Sequence, residues 1–279
     1  MKVLTLNCHS WMEKNALEKL EQLVLTIERE QFDIIALQEV NQLITTKAAT
    51  LDDYFQPLIS HQPIVHQDNF ALKVVEKLKK LGVNYYWSWN VSHLGYDRYH
   101  EGAALLSKNP IQPDDFLVSK VSDIDDFHTR RILKGRTVLG ETELVVFSCH
   151  YSWWLGNQQE EGFYYEWNQT IEKMTRMASP LLLLGDFNNP ADNCGEGYDY
   201  LKRTKPELQD VFKVAKNKTG EHTVSKAIDG WSENTQNLRL DYGFISSEFH
   251  VEEYRVVFDG KQTPIISDHF GIVLTLSLK

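Results

Sequence analysis

The feature that most restricts the fold is a repeated punctuation: short, almost wholly apolar runs that stop at an Asn, Glu, His or Asp. "KVLTLN" (2–7) ends in Asn7, "FDIIALQEV" (32–40) carries Glu39, "VVFSCH" (145–150) ends in His150, and "LLLLGDFN" (181–188) breaks into Asp186 and Asn188. Further on, "LRLDYGFIS" holds Asp241, and Asp268 and His269 stand just ahead of the last run, "GIVLTLSL". Runs of this kind read as strands covered on both faces. Between the first two, Ala16, Leu20, Leu23 and Ile27 recur at helical spacing. Residues 2–40 therefore read as strand, helix, strand, a right-handed crossover between parallel strands. Parallel strands bring Asn7 and Glu39 to one sheet edge, and ligand sites in α/β sheets favour the carboxyl ends of strands.

The pattern continues. Phe70, Val74, Leu78 and Leu81 mark a helix that stops before Gly82. Residues 84–89 and 102–107 read as strands, with Glu101 just ahead of the second, and 131–150 as a hairpin around Gly140. Residues 158–178 read as a helix, with Phe163, Tyr164, Tyr165 and Trp167 either on its inner face or offered as rings that stack on a sugar or base. Carboxylates gathered at one rim repel each other unless a cation or shared protons offset them, which points to a hard divalent metal held by oxygen. Strand alternation turns Cys8 and Cys149 away from Asn7 and His150, into the core.

Composition narrows the setting. No linker-like stretch or repeat divides the 279 residues, so the expectation is a single catalytic domain over 1–279. The 39 acidic residues exceed the 29 basic ones, a net charge of −10, which argues against a polyanionic partner such as nucleic acid. Three cysteines with no CxxC spacing, no leader-like start and no apolar stretch of ~20 residues point to the cytoplasm, away from a membrane.

In order, "TLN" (5–7), "LQEV" (37–40), "YHEGAALLSKNPI" (99–111), "SCHYS" (148–152), "LLGDFNNP" (183–190), "RLDYGFIS" (239–246) and "SDHFGI" (267–272) resemble the endonuclease/exonuclease/phosphatase superfamily. The resemblance implies an α/β four-layer sandwich, two mixed β-sheets packed face to face with helices outside, and the site at one rim. It implies hydrolysis of a phosphate ester by an in-line water with Mg2+, for which Mn2+ can substitute. Under it Glu39 is the main metal ligand, with Asn7 and Asp268 near the ion. Asp186 orients or deprotonates the water, and Asn188 holds Asp186 and binds a phosphate oxygen. His269 donates to the phosphate with its ring oriented by Asp241, and His150 is a second phosphate-side histidine paired with Glu101. Arg130 or Arg131 contacts phosphate, and Tyr99 either joins the site or packs beneath it.

The family fixes the bond type rather than the molecule that carries it. Trp153 and Trp154 follow His150 directly and read either as core or as a wall that stacks on a sugar face. With the acidic balance they favour a small soluble phosphate ester. The character is similar to bacterial sugar-phosphate phosphatases, the maltose 6'-phosphate phosphatase branch included. A nuclease of the same superfamily is the alternative, and an inactive binding protein a third reading. The polar stretch 214–238, with His222 and Trp231, is left between substrate contact and plain surface.

Overall fold

Among the described residues, apolar positions alternating along two sheets build three large cores, beside one small cluster. The computed structural model describes residues 1–156, 161–174, 179–228 and 230–279. In chain order the first elements are β1 (Lys2–Asn7), a 3-10 turn (Ser10–Met12), α1 (Ala16–Glu30), β2 (Ile34–Leu43), α2 (Phe70–Lys80), β3 (Tyr86–Trp89), β4 (His93–Gly95), β5 (Tyr99–Ser107) and β6 (Gln112–Leu117). They are followed by β7 (Arg131–Leu139), β8 (Thr142–His150), α3 (Gly162–Met174), β9 (Leu181–Asp186), α4 (Gly197–Thr204), β10 (Gln209–Asp210) and α5 (Val211–Val214). The chain closes with β11 (Asn217–Thr219), β12 (Asp241–Ile245), β13 (Phe249–Val257) and β14 (Gly271–Leu278).

One sheet runs β11-β13-β14-β1-β2-β5-β3, with β4 beside β5; the other runs β10-β12-β9-β8-β7-β6. The crossover expected over 2–40 is present: β1 and β2 are parallel, Val3 opposite Ile34. β8 and β9 are the corresponding parallel pair of the second sheet. The even or odd positions then sort into layers. Val3, Ala36, Leu105, Val146, Leu182, Leu184 and Leu274 meet between the sheets. Leu4, Leu6, Ile35 and Leu37 face α1 and α2, while Val145, Phe147, Leu183 and Phe244 face α3 and α4. This is the four-layer α/β sandwich.

The expected helix over 158–178 is α3; its ends at 158–160 and 175–178 lie outside the described residues. Phe163 and Trp167 are its buried inner face and stack on one another, with ring centroids 6.1 Å apart. Cys8 and Cys149 are buried with free thiols, as alternation requires. Beneath the rim, Gln38 Nε2 donates to Ser148 Oγ at 2.9 Å and Ser148 Oγ donates to the Leu37 carbonyl at 3.0 Å, tying the two sheets together.

Candidate active site

The same alternation that fills the inner core with aliphatics leaves polar groups where the strands run out. Asn7 continues the inward row of Val3, Asp186 that of Leu182 and Leu184, and His150 that of Val146 and Ser148. Register brings them side by side. His150 lies opposite Asp186 in the parallel pair, and Asp186 opposite Asp241 in the antiparallel pair β9–β12. Glu39 joins them by a different device. The β2–β5 register shifts between Leu37 and Val40, and Glu39 takes a left-handed φ of 51°. A bulge of this kind re-aims a side chain, and strain of this kind gathers at functional sites. Gly185 permits the close approach on the other side: a Cβ there would sit 2.0 Å from the Cys149 carbonyl oxygen.

Asn7 Nδ2 donates to Glu39 Oε1 at 2.7 Å and to Asp186 Oδ2 at 3.1 Å, while its Oδ1 accepts from the His9 N–H. A backbone N–H can only donate, so the amide is fixed with its donor end toward the carboxylates. Asn7 therefore bridges Glu39 and Asp186 through its amide nitrogen. Asp186 also accepts from the Asn188 backbone N–H at 2.8 Å, so the main chain rather than the Asn188 side chain holds it. His269 Nδ1 lies 2.8 Å from Asp241 Oδ2, and its Nε2 is 3.6 Å from Asp186 Oδ2.

Electrostatics separates these groups. Burial pushes the Glu39 carboxyl up to about 8, with Glu101 and Asp268 adding to it. Burial likewise pushes Asp186 up to about 7, against the pull of His269. Burial opposes protonation of His269, but the carboxylates of Asp241 and Asp186 outweigh it and raise its pKa well above the ordinary value. His150 goes the other way: burial, then the positive field of Arg130 and the other histidines, holds it well below. The site thus holds a charged imidazole and a neutral one, with a carboxylate poised near neutrality.

These groups floor a cleft of about 340 Å³, lined also by Arg130, Trp153, Tyr96, Asn188 and Gly230. The two arginines differ in position. Arg131 is locked to Asp115, Nε to Oδ2 at 2.6 Å and Nη2 to Oδ1 at 2.9 Å, and does not line the cleft. Arg130 does, with its Nε buried and unpaired. Tyr99 is also excluded from the cleft; it is buried under the Arg98 guanidinium, 4.9 Å from its ring centroid.

The expected pair of His150 with Glu101 is not formed. Strand β4 sets His93 directly opposite Glu101, and His93 Nε2 lies 3.4 Å from the Glu101 carboxylate. His93 Nδ1 in turn stands 3.3 Å from Arg130 Nη1, so Glu101 supports Arg130 through His93. His150 Nε2 instead faces Asp186 at 3.8 Å and Glu39 at 3.9 Å. Asp268 groups with His9, 3.8 Å away, and with Glu13, outside the lining of the cleft.

The two tryptophans part company. Ser152 donates twice to the buried Glu166, at 2.8 Å from N and 2.7 Å from Oγ, and this fixes the chain as it leaves β8. Trp153 then walls the cleft, while Trp154 packs outward against Tyr164 and Tyr200, ring centroids 6.1 and 5.6 Å away. Trp231, left open by the sequence, reaches the site: its indole N–H donates to Asn188 Oδ1 at 3.1 Å. His93 is a functional neighbour that sequence reasoning missed, and Trp231 one that it left open.

Among the described residues, Glu39, His150 and Asp186 form one of three clusters whose ligand atoms lie within 4.8 Å of each other. The buried Asp186 and half-buried Glu39 both resist ionisation there for want of positive charge around them, and a hard divalent cation with oxygen ligands fits that deficit. Glu39 is the group that would hold it, with Asp186 beside it.

No curated protein matches the chain. Among solved structures, a Leptotrichia buccalis C-1013-b protein described as endonuclease/exonuclease/phosphatase family is 33% identical, with each chain covered fully and a TM-score of 0.83. The Bacteroides thetaiotaomicron mannosyl-6-phosphatase Bt3783 superposes with a TM-score of 0.67 at 17% identity, again over 100% of both chains. A Neisseria 3' phosphatase bound to product DNA hairpin follows at 0.61 and 20% identity, with 99% of each chain covered. Both share the fold. Residues 5–269 match the family described as Endonuclease/Exonuclease/phosphatase, and the chain belongs to that family of hydrolytic phosphoesterases.

Proposed function

We propose that the protein is a Mg2+-dependent phosphomonoester hydrolase of a small soluble metabolite, a sugar phosphate such as maltose 6'-phosphate. The observation that carries this reading is the cleft itself: phosphate-binding groups on its floor and an indole, Trp153, as its wall. Flat rings of this kind stack on the apolar face of a sugar. The fold is shared with a mannosyl-6-phosphatase and with a DNA-bound 3' phosphatase, so the fold leaves the ester open and this chain's own walls must decide. A net charge of −10 weighs against a polyanion. Three free cysteines support a reducing compartment, the cytoplasm, and no helix among the described residues is long and apolar enough to cross a membrane.

Each residue then has one task. Asp186, poised near neutrality, accepts the proton of the attacking water. His269, held charged by Asp241, donates to a phosphoryl oxygen, and Arg130 adds a second positive donor. Neutral His150 completes the phosphate side. A divalent cation, when bound at Glu39, supplies charge stabilisation for the transferring group and lowers the pKa of water.

A panel of phosphorylated mono- and disaccharides, assayed with Mg2+ and with a chelator, tests the reading. Release of inorganic phosphate from a sugar phosphate, abolished by chelation and by Asp186→Asn in a chain that still folds, is the expected result. Cleavage of DNA or removal of a DNA 3'-phosphate, with no sugar phosphate turned over, would replace it with the nuclease reading.

A further inference from the structure

Asn188 sits on a left-handed turn, φ 51°, and lines the cleft. Its Nδ2 donates to the Tyr151 carbonyl at 2.9 Å, and its Oδ1 accepts from Trp231 Nε1 at 3.1 Å. The two ends of an amide are distinguished by their partners. An indole N–H only donates and a carbonyl only accepts, so this pair admits one orientation of Asn188. An amide nitrogen carries two hydrogens; Tyr151 takes one, and the other is left for a group in the cleft. If the amide turned over, the carbonyl oxygen would take that place and repel an anion.

Trp231 is built to hold this position. It packs on the small cluster of Val224, Ile228 and Leu240. Its loop is fastened at its base, where the Thr223 hydroxyl accepts from the Asp241 N–H at 3.1 Å and the Thr223 carbonyl from the Phe270 N–H at 2.7 Å. Those anchors flank Asp241 and His269. At its tip, Gly230 lies against the Trp153 ring, where a Cβ would be 3.7 Å from Cζ3.

We propose that Trp231 is a positioning residue: its indole N–H fixes the Asn188 amide so that an N–H, not an oxygen, meets a phosphoryl oxygen in the cleft. The inference rests on the phosphatase reading, which supplies the anion. The loop that closes this side of the cleft would then act on turnover as well as on substrate shape.

The test uses Trp231→Phe in the full chain, which keeps a ring and removes the donor. Two readouts are taken with Mg2+ present: the affinity for inorganic phosphate by calorimetry, and kcat and KM on p-nitrophenyl phosphate. Loss of one hydrogen bond to a charged group predicts about a tenfold fall in phosphate affinity and in kcat. In an Asn188→Ala background the same change should add nothing. A Trp231→Phe chain equal to wild type overturns the inference, and so does a loss of the same size when Asn188 is already alanine, since Trp231 would then act by packing. If Trp231→Phe does not fold, hydrogen exchange of the Trp231 indole decides: it should quicken in Asn188→Ala, and unchanged exchange overturns the bond. A wild-type chain that neither binds phosphate nor releases it removes the phosphatase reading and this role together. A wild-type chain that does both, with an insensitive Trp231→Phe, removes this role alone.

Discussion

His150 and His269 reach the same cleft, the first neutral and the second positively charged, because burial opposes charge on both rings and only His269 has carboxylates close enough to outweigh it. His269 has Asp241 at 2.8 Å behind its ring, whereas His150 has no carboxylate nearer than 3.8 Å and sits in the field of Arg130. Asp241→Asn should therefore lower the pKa of His269, followed by NMR of the imidazole, and reduce kcat by roughly 10²-fold through the lost donor. An unchanged kcat would remove His269 as a charged donor. The same logic explains why this pair was only half legible. The family resemblance put Asp241 behind the His269 ring, where the structure has it, but it gave His150 the partner Glu101, which lies against His93 instead. The pairing of Glu101 with His93 comes from a three-residue strand, β4, too short to leave a periodic signal.

At the scale of the element, alternation did most of the placing. Polar residues that close inward rows can be read from period two alone, so Asn7, His150 and Asp186 were recognisable as neighbours of one rim. A bulge breaks that rule, and Glu39 stands at one. Strands β6 and β13 went unread for local reasons: β6 carries Pro113 at an edge, and β13 mixes charges into its alternation and shifts register between Val251 and Glu253. Adjacent residues of an extended segment face opposite ways, so Trp153 with Trp154, and Arg130 with Arg131, had at most one member each in the cleft. Trp153→Ala should raise KM for the physiological ester and spare KM for p-nitrophenyl phosphate. Trp154→Ala should instead cost roughly 2 kcal/mol of stability by thermal or urea unfolding, since its ring is packed on Tyr164 and Tyr200. A reversal of these two outcomes would exchange their places.

The whole molecule holds its site at the seam of two sheets, and it bears the electrostatic consequence as a unit. Glu39 and Asp186 have carboxyl groups raised to about 8 and about 7, so between their unfolded values and these the folded chain binds more protons than the unfolded one. Stability of the metal-free protein from these groups is therefore full below about pH 4 and is lost as pH rises toward 8. A divalent cation offsets that loss only where protons do not compete for the carboxylates. The rise in Tm on adding Mg2+ should be larger near pH 8 than near pH 5.5, and equal shifts would remove Glu39 as the cation's seat.

Met1 and Leu276 share a backbone hydrogen bond, and β1 lies between β2 and β14, the last strand of the chain. A polypeptide made from its amino end has Asn7 and Glu39 long before it has His269, and β1 keeps an open flank until β14 arrives. Contacts of such long sequence separation are slow to close. Phosphate chemistry thus waits for His269: a growing or truncated chain that stops short of it carries the acidic half of the centre but not its charged histidine.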